Sequence, residues 1–155
     1  MSKLLKDVKP ITIIANEAQR AADRLIEKVD ILFLLGPSGT GKTHWAVKMA
    51  LDRLQSSRCR KIVLARPLIE CEEETGFLPG TVEEKLGPWL KPIEDVLQQL
   101  TNIAPGEIVK QMEISPLAFM RGRSFNDSVA ILDEASNATG RQLELFVTRL
   151  GRGGK

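Results

Sequence analysis

The sequence contains no tyrosine, and aromatic residues make up only 5% of it. An aromatic stripe on which the bases of a single strand could stack is therefore not visible. Cysteine is nearly absent too. Cys59 and Cys71 stand apart, with no C-x-x-C pair, and His44 is the single histidine. That scarcity excludes a Cys/His zinc site and a disulfide framework, and the two thiols read as free in a reducing compartment. No apolar run approaches the roughly 18 residues of a membrane span, and charges interrupt the first 30 positions, which argues against a secretory leader. A cytoplasmic location is the default expectation, with no membrane partner. Net charge is only +2, too small for bulk electrostatics to argue for nucleic acid. Internal repeats and low-complexity tracts are also missing.

What is present is an ordinary soluble composition, 43% hydrophobic and 27% charged, in 155 residues, a length that suits one domain. Gly36-Pro37-Ser38-Gly39-Thr40-Gly41-Lys42-Thr43 fits G-x-x-x-x-G-K-[ST] at every fixed position. The apolar run Ile31-Leu32-Phe33-Leu34-Leu35 leads into it, and a helix-like segment from Thr43 to about Leu54 follows. Strand, glycine loop and helix form the context of a phosphate-binding loop. Glycines let the loop wrap an anion with backbone N–H groups, and the new helix adds unpaired N–H groups and a positive dipole end. Gly36, Pro37, Ser38, Gly39, Thr40, Gly41, Lys42, Thr43 and the adjoining His44 are thus the expected nucleotide-binding stretch. Lys42 would reach the β- and γ-phosphates, and the Thr43 hydroxyl would ligate Mg²⁺. His44, without ligand partners, reads as a local side chain rather than a metal ligand.

Before the loop, Asn16-Glu17-Ala18-Gln19 opens a helix-like stretch with Ala18, Ala21 or Ala22, Leu25 and Val29 near one face. Gln19 has two readings. As N3 of a capping box begun by Asn16 it would be structural; as an amide it could read an adenine edge. The residues alone favour the cap. After the loop helix, Ile62-Val63-Leu64-Ala65 is a short buried-type strand closed by Arg66-Pro67. Arg66, at a strand's C-terminal end, could face a phosphate or nucleic-acid backbone, or simply sit in a salt bridge. Residues 69–92, rich in Glu, Gly and Pro, read as an insertion between strands, and Lys91-Pro92 opens a helix carrying Ile93, Val96, Leu97 and Leu100. Met112-Glu113-Ile114-Ser115 is a further strand candidate, followed by an arginine pair, Arg121 and Arg123, around Gly122. That pair is a plausible phosphate contact, although composition prefers a solvated loop.

Val129-Ala130-Ile131-Leu132-Asp133-Glu134 is more specific. A buried-type strand running into two carboxylates needs a compensating partner, and Mg²⁺ beside nucleotide phosphate supplies one. Asp133 would hold the ion through water, since Mg²⁺ keeps much of its hydration, and Glu134 would orient and polarise the attacking water. Thr139-x-x-Gln142 reads as the capping box of a final helix. Arg141 and Arg149 lie off its apolar stripe, as surface charges or as an arginine finger toward a neighbour's nucleotide. The last five residues, Gly-Arg-Gly-Gly-Lys, read as polar and loose.

Together these motifs resemble the PhoH family of P-loop ATPases, whose core is similar to superfamily 1 helicases. The resemblance runs from about Asn16 to Lys155. It rests on Gln19 seventeen residues before Gly36, the glycine loop, Ala65-Arg66-Pro67, Gly76-Phe77-Leu78-Pro79-Gly80 with Glu84-Lys85, Pro116 through Arg123, Ile131 through Ala135, and Thr148-Arg149-Leu150-Gly151. It implies a three-layer α/β/α RecA-like core with a mostly parallel sheet and strands near 31–35, 62–65, 112–115 and 129–132. It also implies Mg²⁺-ATP as ligand, RNA or DNA as the object of work, and a ring-shaped homo-oligomer. Gln19 then becomes an adenine contact, Arg66, Arg121 and Arg123 become nucleic-acid contacts, and Arg149 a catalytic finger beside Lys42 and Glu134. Two departures stand out. Ser136 replaces the family's usual glutamine, and the family's later Gly-Asp-containing strand and glutamine have no match here. That strand would lie between the loop strand and the Asp133 strand, so a fragment or a differently closed fold is expected. The whole chain, 1–155, is read as one P-loop domain with a 1–15 extension. The leading functional expectation is an ATPase coupled to nucleic-acid remodelling. The alternative is a nucleotide-binding assembly module with little or no turnover, and Glu134 argues against a small-molecule kinase.

Overall fold

The computed structural model describes residues 16–67, 82–101, 104, 107 and 112–155. Its centre is β1 (Lys61–Arg66), whose four inner residues are all buried. Ile62, Val63, Leu64 and Ala65 point alternately to two faces, and both faces are covered, which is why the strand is a continuous apolar run. β2 (Met112–Pro116) and β3 (Ser128–Leu132) flank it in the order β2-β1-β3, both parallel to it. The register sets Ile62 against Met112 on one side and against Val129 on the other.

Helices close the two faces. α2 (Lys42–Gln55) and α3 (Val82–Leu100) lie on one side, where Val47, Leu51 and Leu54 meet Ile93, Leu97 and Leu100 over Ile62, Leu64, Val129 and Ile131. On the other side a 3₁₀ turn (Leu117–Met120) and α4 (Gly140–Val147) bring Leu117, Met120, Phe125 and Phe146 over Val63 and Ala65. The Phe125 and Phe146 rings pack tilted, with centroids 5.4 Å apart. The architecture is therefore the expected α/β arrangement of helices on both faces of a parallel sheet. α1 (Glu17–Leu25) docks on α2 through Trp45, whose indole N–H donates to Asp23 at 3.0 Å. Among the described residues, no helix is long and apolar enough to cross a membrane.

Three expectations change. The apolar run Ile31–Leu35 has no strand pairing among the described residues. It alternates in burial, with Ile31, Phe33 and Leu35 outward and Leu32 and Leu34 half-buried, so the period-two pattern is real but no ladder meets it. Apolar composition specifies a demand for burial and leaves the hydrogen-bonding neighbour open. Second, the insertion expected over 69–92 is helical from Val82 onward. Pro92 is not the start of that helix but lies inside it, where the buried stripe of Ile93, Leu97 and Leu100 against α2 outweighs the missing N–H. The acidic run Glu70–Glu74, Cys71 and the Gly76–Gly80 motif lie outside the described residues. Third, the glycine-rich tail is not loose. Lys155 N–H donates to Ser128 O at 2.9 Å and its carbonyl accepts from Ala130 N at 2.8 Å, a parallel bridge along the free side of β3. Glycine is required there by proximity, because a Cβ on Gly154 would sit 2.4 Å from the Phe125 carbonyl oxygen.

Candidate active site

Each half of the site is placed by a terminus. Gly39 and Gly41 adopt positive φ of 75° and 81°, and Gly41 is the N-cap of α2 without any side-chain cap. The loop thus delivers Lys42 and Thr43 on the first helical turn with the helix's N–H groups uncapped by a side chain. The Lys42 ammonium is turned onto its own loop, donating to Gly36 O at 2.8 Å and Pro37 O at 2.6 Å. The Thr40 hydroxyl also donates to Pro37 O, at 2.9 Å.

The other half comes from β3. Asp133 N–H donates to Ala65 O at 2.9 Å, so the β1–β3 ladder runs one residue past the strand and fixes the carboxylate's origin. The Thr43 hydroxyl donates to Asp133 Oδ1 at 2.7 Å, joining the two halves across 90 positions of sequence. Glu134 follows with φ of 52°, a left-handed conformation that a non-glycine residue adopts at a cost of about 1–3 kcal/mol. Its side chain is half exposed while that of Asp133 is nearly buried. No group of three or more His, Cys, Asp or Glu side chains suited to a metal occurs among the described residues. One hydroxyl and one carboxylate in contact are, however, a suitable protein share for Mg²⁺, a hard ion that keeps waters and takes other oxygens from substrate phosphates.

Arg66 enters this site by a route that its sequence position does not announce. Its Nε lies 3.2 Å from Asp133 Oδ2, and Nη2 lies 3.9 Å from Glu134 Oε1. The signal was available in the pairing: Ala65 stands opposite Leu132, so the next residues on the two strands are Arg66 and Asp133. Gln19 carries the capping box, with its Oε1 accepting from Asn16 N–H at 3.1 Å and Asn16 Oδ1 accepting from Gln19 N–H at 2.8 Å. The amide nitrogen left over lies beside the loop, 3.7 Å from the point a Cβ on Gly41 would occupy. Cap and loop-facing amide therefore coexist in one orientation. His44, on the first turn of α2, is half-buried.

The remaining arginines separate. Arg123 is drawn into an ion pair with Glu113, which Lys61 also meets at 3.1 Å. Arg121, Arg141 and Arg149 instead come together around one open groove on the α4 side. Two other groups have shifted acidities. Burial pushes the Cys59 thiol up from its ordinary pKa, so it stays protonated and weakly nucleophilic. Partial burial works against the Glu27 carboxylate, but Arg53 and Arg58 together hold it below its ordinary pKa.

The PhoH-like protein family matches residues 11–155. A PhoH-like protein of Mycobacterium tuberculosis is 42% identical over 160 residues, covering 100% of this chain and 44% of its own length. One of Bacillus subtilis is 40% identical, covering 99% of this chain and 49% of its own length, and Protein PhoH of Escherichia coli is 36% identical over 97% of this chain and 44% of its own. The chain thus spans somewhat less than half the length of these curated relatives. On the extent of the family match and of these identities, the chain belongs to the PhoH-like protein family.

Proposed function

We propose that this chain is the nucleotide-binding core of an ATPase that acts on RNA or DNA. The observation that carries the reading is the 2.7 Å hydrogen bond from the Thr43 hydroxyl to Asp133, which unites the phosphate loop with the strand-end carboxylates. Thr43 and Asp133 would hold Mg²⁺, which supplies charge neutralisation between the β- and γ-phosphates when bound. Lys42 would exchange the Gly36 and Pro37 carbonyls for phosphate oxygens, and the loop N–H groups would line the same anion. Glu134, aimed by its left-handed backbone, would orient a water and accept its proton. Arg66 would yield the carboxylates as the site fills. Gln19, beside Gly41, would face the base. A ring-shaped homo-oligomer belongs to the same reading.

A second reading, an assembly module that binds nucleotide with little turnover, is favoured by the unpaired run Ile31–Leu35, since the segment feeding the loop is not locked into the sheet. Phosphate release from Mg²⁺-ATP, with and without single-stranded RNA, separates the two. Glu134→Gln is expected to keep nucleotide binding and to lower release by about 10²–10⁴-fold, and Lys42→Ala to lose both. Tight binding without release in the unaltered chain would instead establish the assembly module.

A further inference from the structure

We infer that the groove between the Arg121-Gly122 turn and α4 is a binding track for the phosphate backbone of a single nucleic-acid strand. The groove has a volume of about 490 Å³ and is open to solvent along its length. Arg121, Arg141 and Arg149 line it, against one carboxylate, Glu144. None of the three arginines makes an ion pair among the described residues. Arg149 is the most telling. Its Nε is buried without a hydrogen-bond partner, and its Nη2 reaches only the Thr148 hydroxyl at 3.4 Å. The terminal nitrogens of Arg149 spend only that one long bond, which leaves guanidinium donors for an anion in the groove.

The occupant follows from the lining. Three guanidinium forks match phosphate oxygens in pairs. Thr139 and Gln142 also line the groove. They spend one oxygen each on the capping box, which leaves a hydroxyl proton and an amide nitrogen to donate. No aromatic side chain lines the groove, so bases have nothing to stack upon and the track reads backbone alone. Its volume is that of a single small ligand, enough for a segment of one strand. Gly122, with φ of 73° and no atom within 4 Å of where its Cβ would lie, keeps the turn clear for the strand to pass. This inference rests on the nucleic-acid part of the function proposed above. It gives Arg141 and Arg149 a task beside Arg121 within one copy, in place of a finger reaching into the next.

The test is anisotropy of labelled oligouridylate and oligothymidylate on the nucleotide-free chain, titrated across a salt series. Arg121→Ala and Arg141→Ala, both at exposed positions, should each weaken binding by about tenfold, the scale of one charge-assisted hydrogen bond. Each should also flatten the dependence of log affinity on log salt by about 0.7, the contribution of one released counterion on a single strand. Arg121→Lys should keep the salt slope, and the two oligomers should bind alike. Strand binding that is intact in both alanine variants would overturn the groove and leave the ATPase reading standing. Phosphate release without any strand binding in the unaltered chain would overturn the groove together with the nucleic-acid part of that reading. Loss of concentration-dependent phosphate release in Arg141→Ala, with strand binding intact, would assign the arginines to a neighbour's nucleotide and overturn the track.

Discussion

Arg66 shows how one side chain can occupy a site before its ligand does. It is nearly buried, and so is Asp133, so the pair exchanges hydration for mutual contact and the Thr43 hydroxyl takes the other carboxylate oxygen. Removing the cation alone leaves a carboxylate with half its compensation. Arg66→Ala should therefore lower stability by about 3 kcal/mol without magnesium, and millimolar Mg²⁺ should restore more of the melting temperature in the variant than in the parent. Thermal melts with and without Mg²⁺ read this directly, and an equal Mg²⁺ response in both chains would remove Arg66 from the site. At this scale the sequence was unevenly legible. Lys42, Thr43, Asp133 and Glu134 were readable because each belongs to a motif whose spacing has one mechanical explanation. Arg66 was readable as a functional position but not by its partner, since strand adjacency is a three-dimensional fact. Gln19 offers both a cap and a ligand contact because an amide has two ends, and the structure uses one of them for the cap.

Among elements, β1 was legible because an apolar run buried on both faces suits a central strand, and β3 because its apolar run ends in two carboxylates. The segment Ile31–Leu35 carries the same signal and behaves otherwise. Phe33 is 68% exposed and Leu35 91%. An exposed apolar stretch with no strand partner among the described residues is a template for pairing with another chain. Phe33→Ser with Leu35→Ser should therefore reduce self-association and hydrophobic-dye binding while changing the unfolding free energy by no more than about 0.5 kcal/mol for each substitution. Sedimentation and chemical denaturation report the two quantities separately. A loss of several kcal/mol would show that the segment is packed in solution. The tail misled in the opposite direction: glycine, which reads as slackness, is there because Phe125 and Asn126 leave no room for a side chain on Gly154 or Gly151.

For the molecule as a whole, the N-terminal helix region is held to the sheet layers by few polar links, and Glu27 is the busiest of them. It accepts from Arg53 at 2.7 Å and from Arg58 at 2.8 Å, bridging the segment after α1 to the C-terminal end of α2. Because these arginines lower its pKa in the folded state, the native chain binds fewer protons here than the unfolded chain does. The stabilisation is therefore complete above the unfolded carboxylate's pKa of about 4.3 and is lost as pH falls through the lower folded value. Denaturant midpoints should show the parent above Glu27→Gln at neutral pH and the gap closing in acid. A gap that is constant down to pH 3 would mean that Glu27 contributes by packing rather than charge. The hydrogen bond from Thr43 to Asp133 has a consequence of this same kind. It spans 90 positions, so it forms only once distant parts of the chain have come together. A nucleotide that touches both is a reversible staple across most of the chain, and at about one hundred times its dissociation constant it would add about 2.7 kcal/mol to the folded state. On the function proposed above, nucleotide occupancy would be linked to folding and would raise the stability of the native chain.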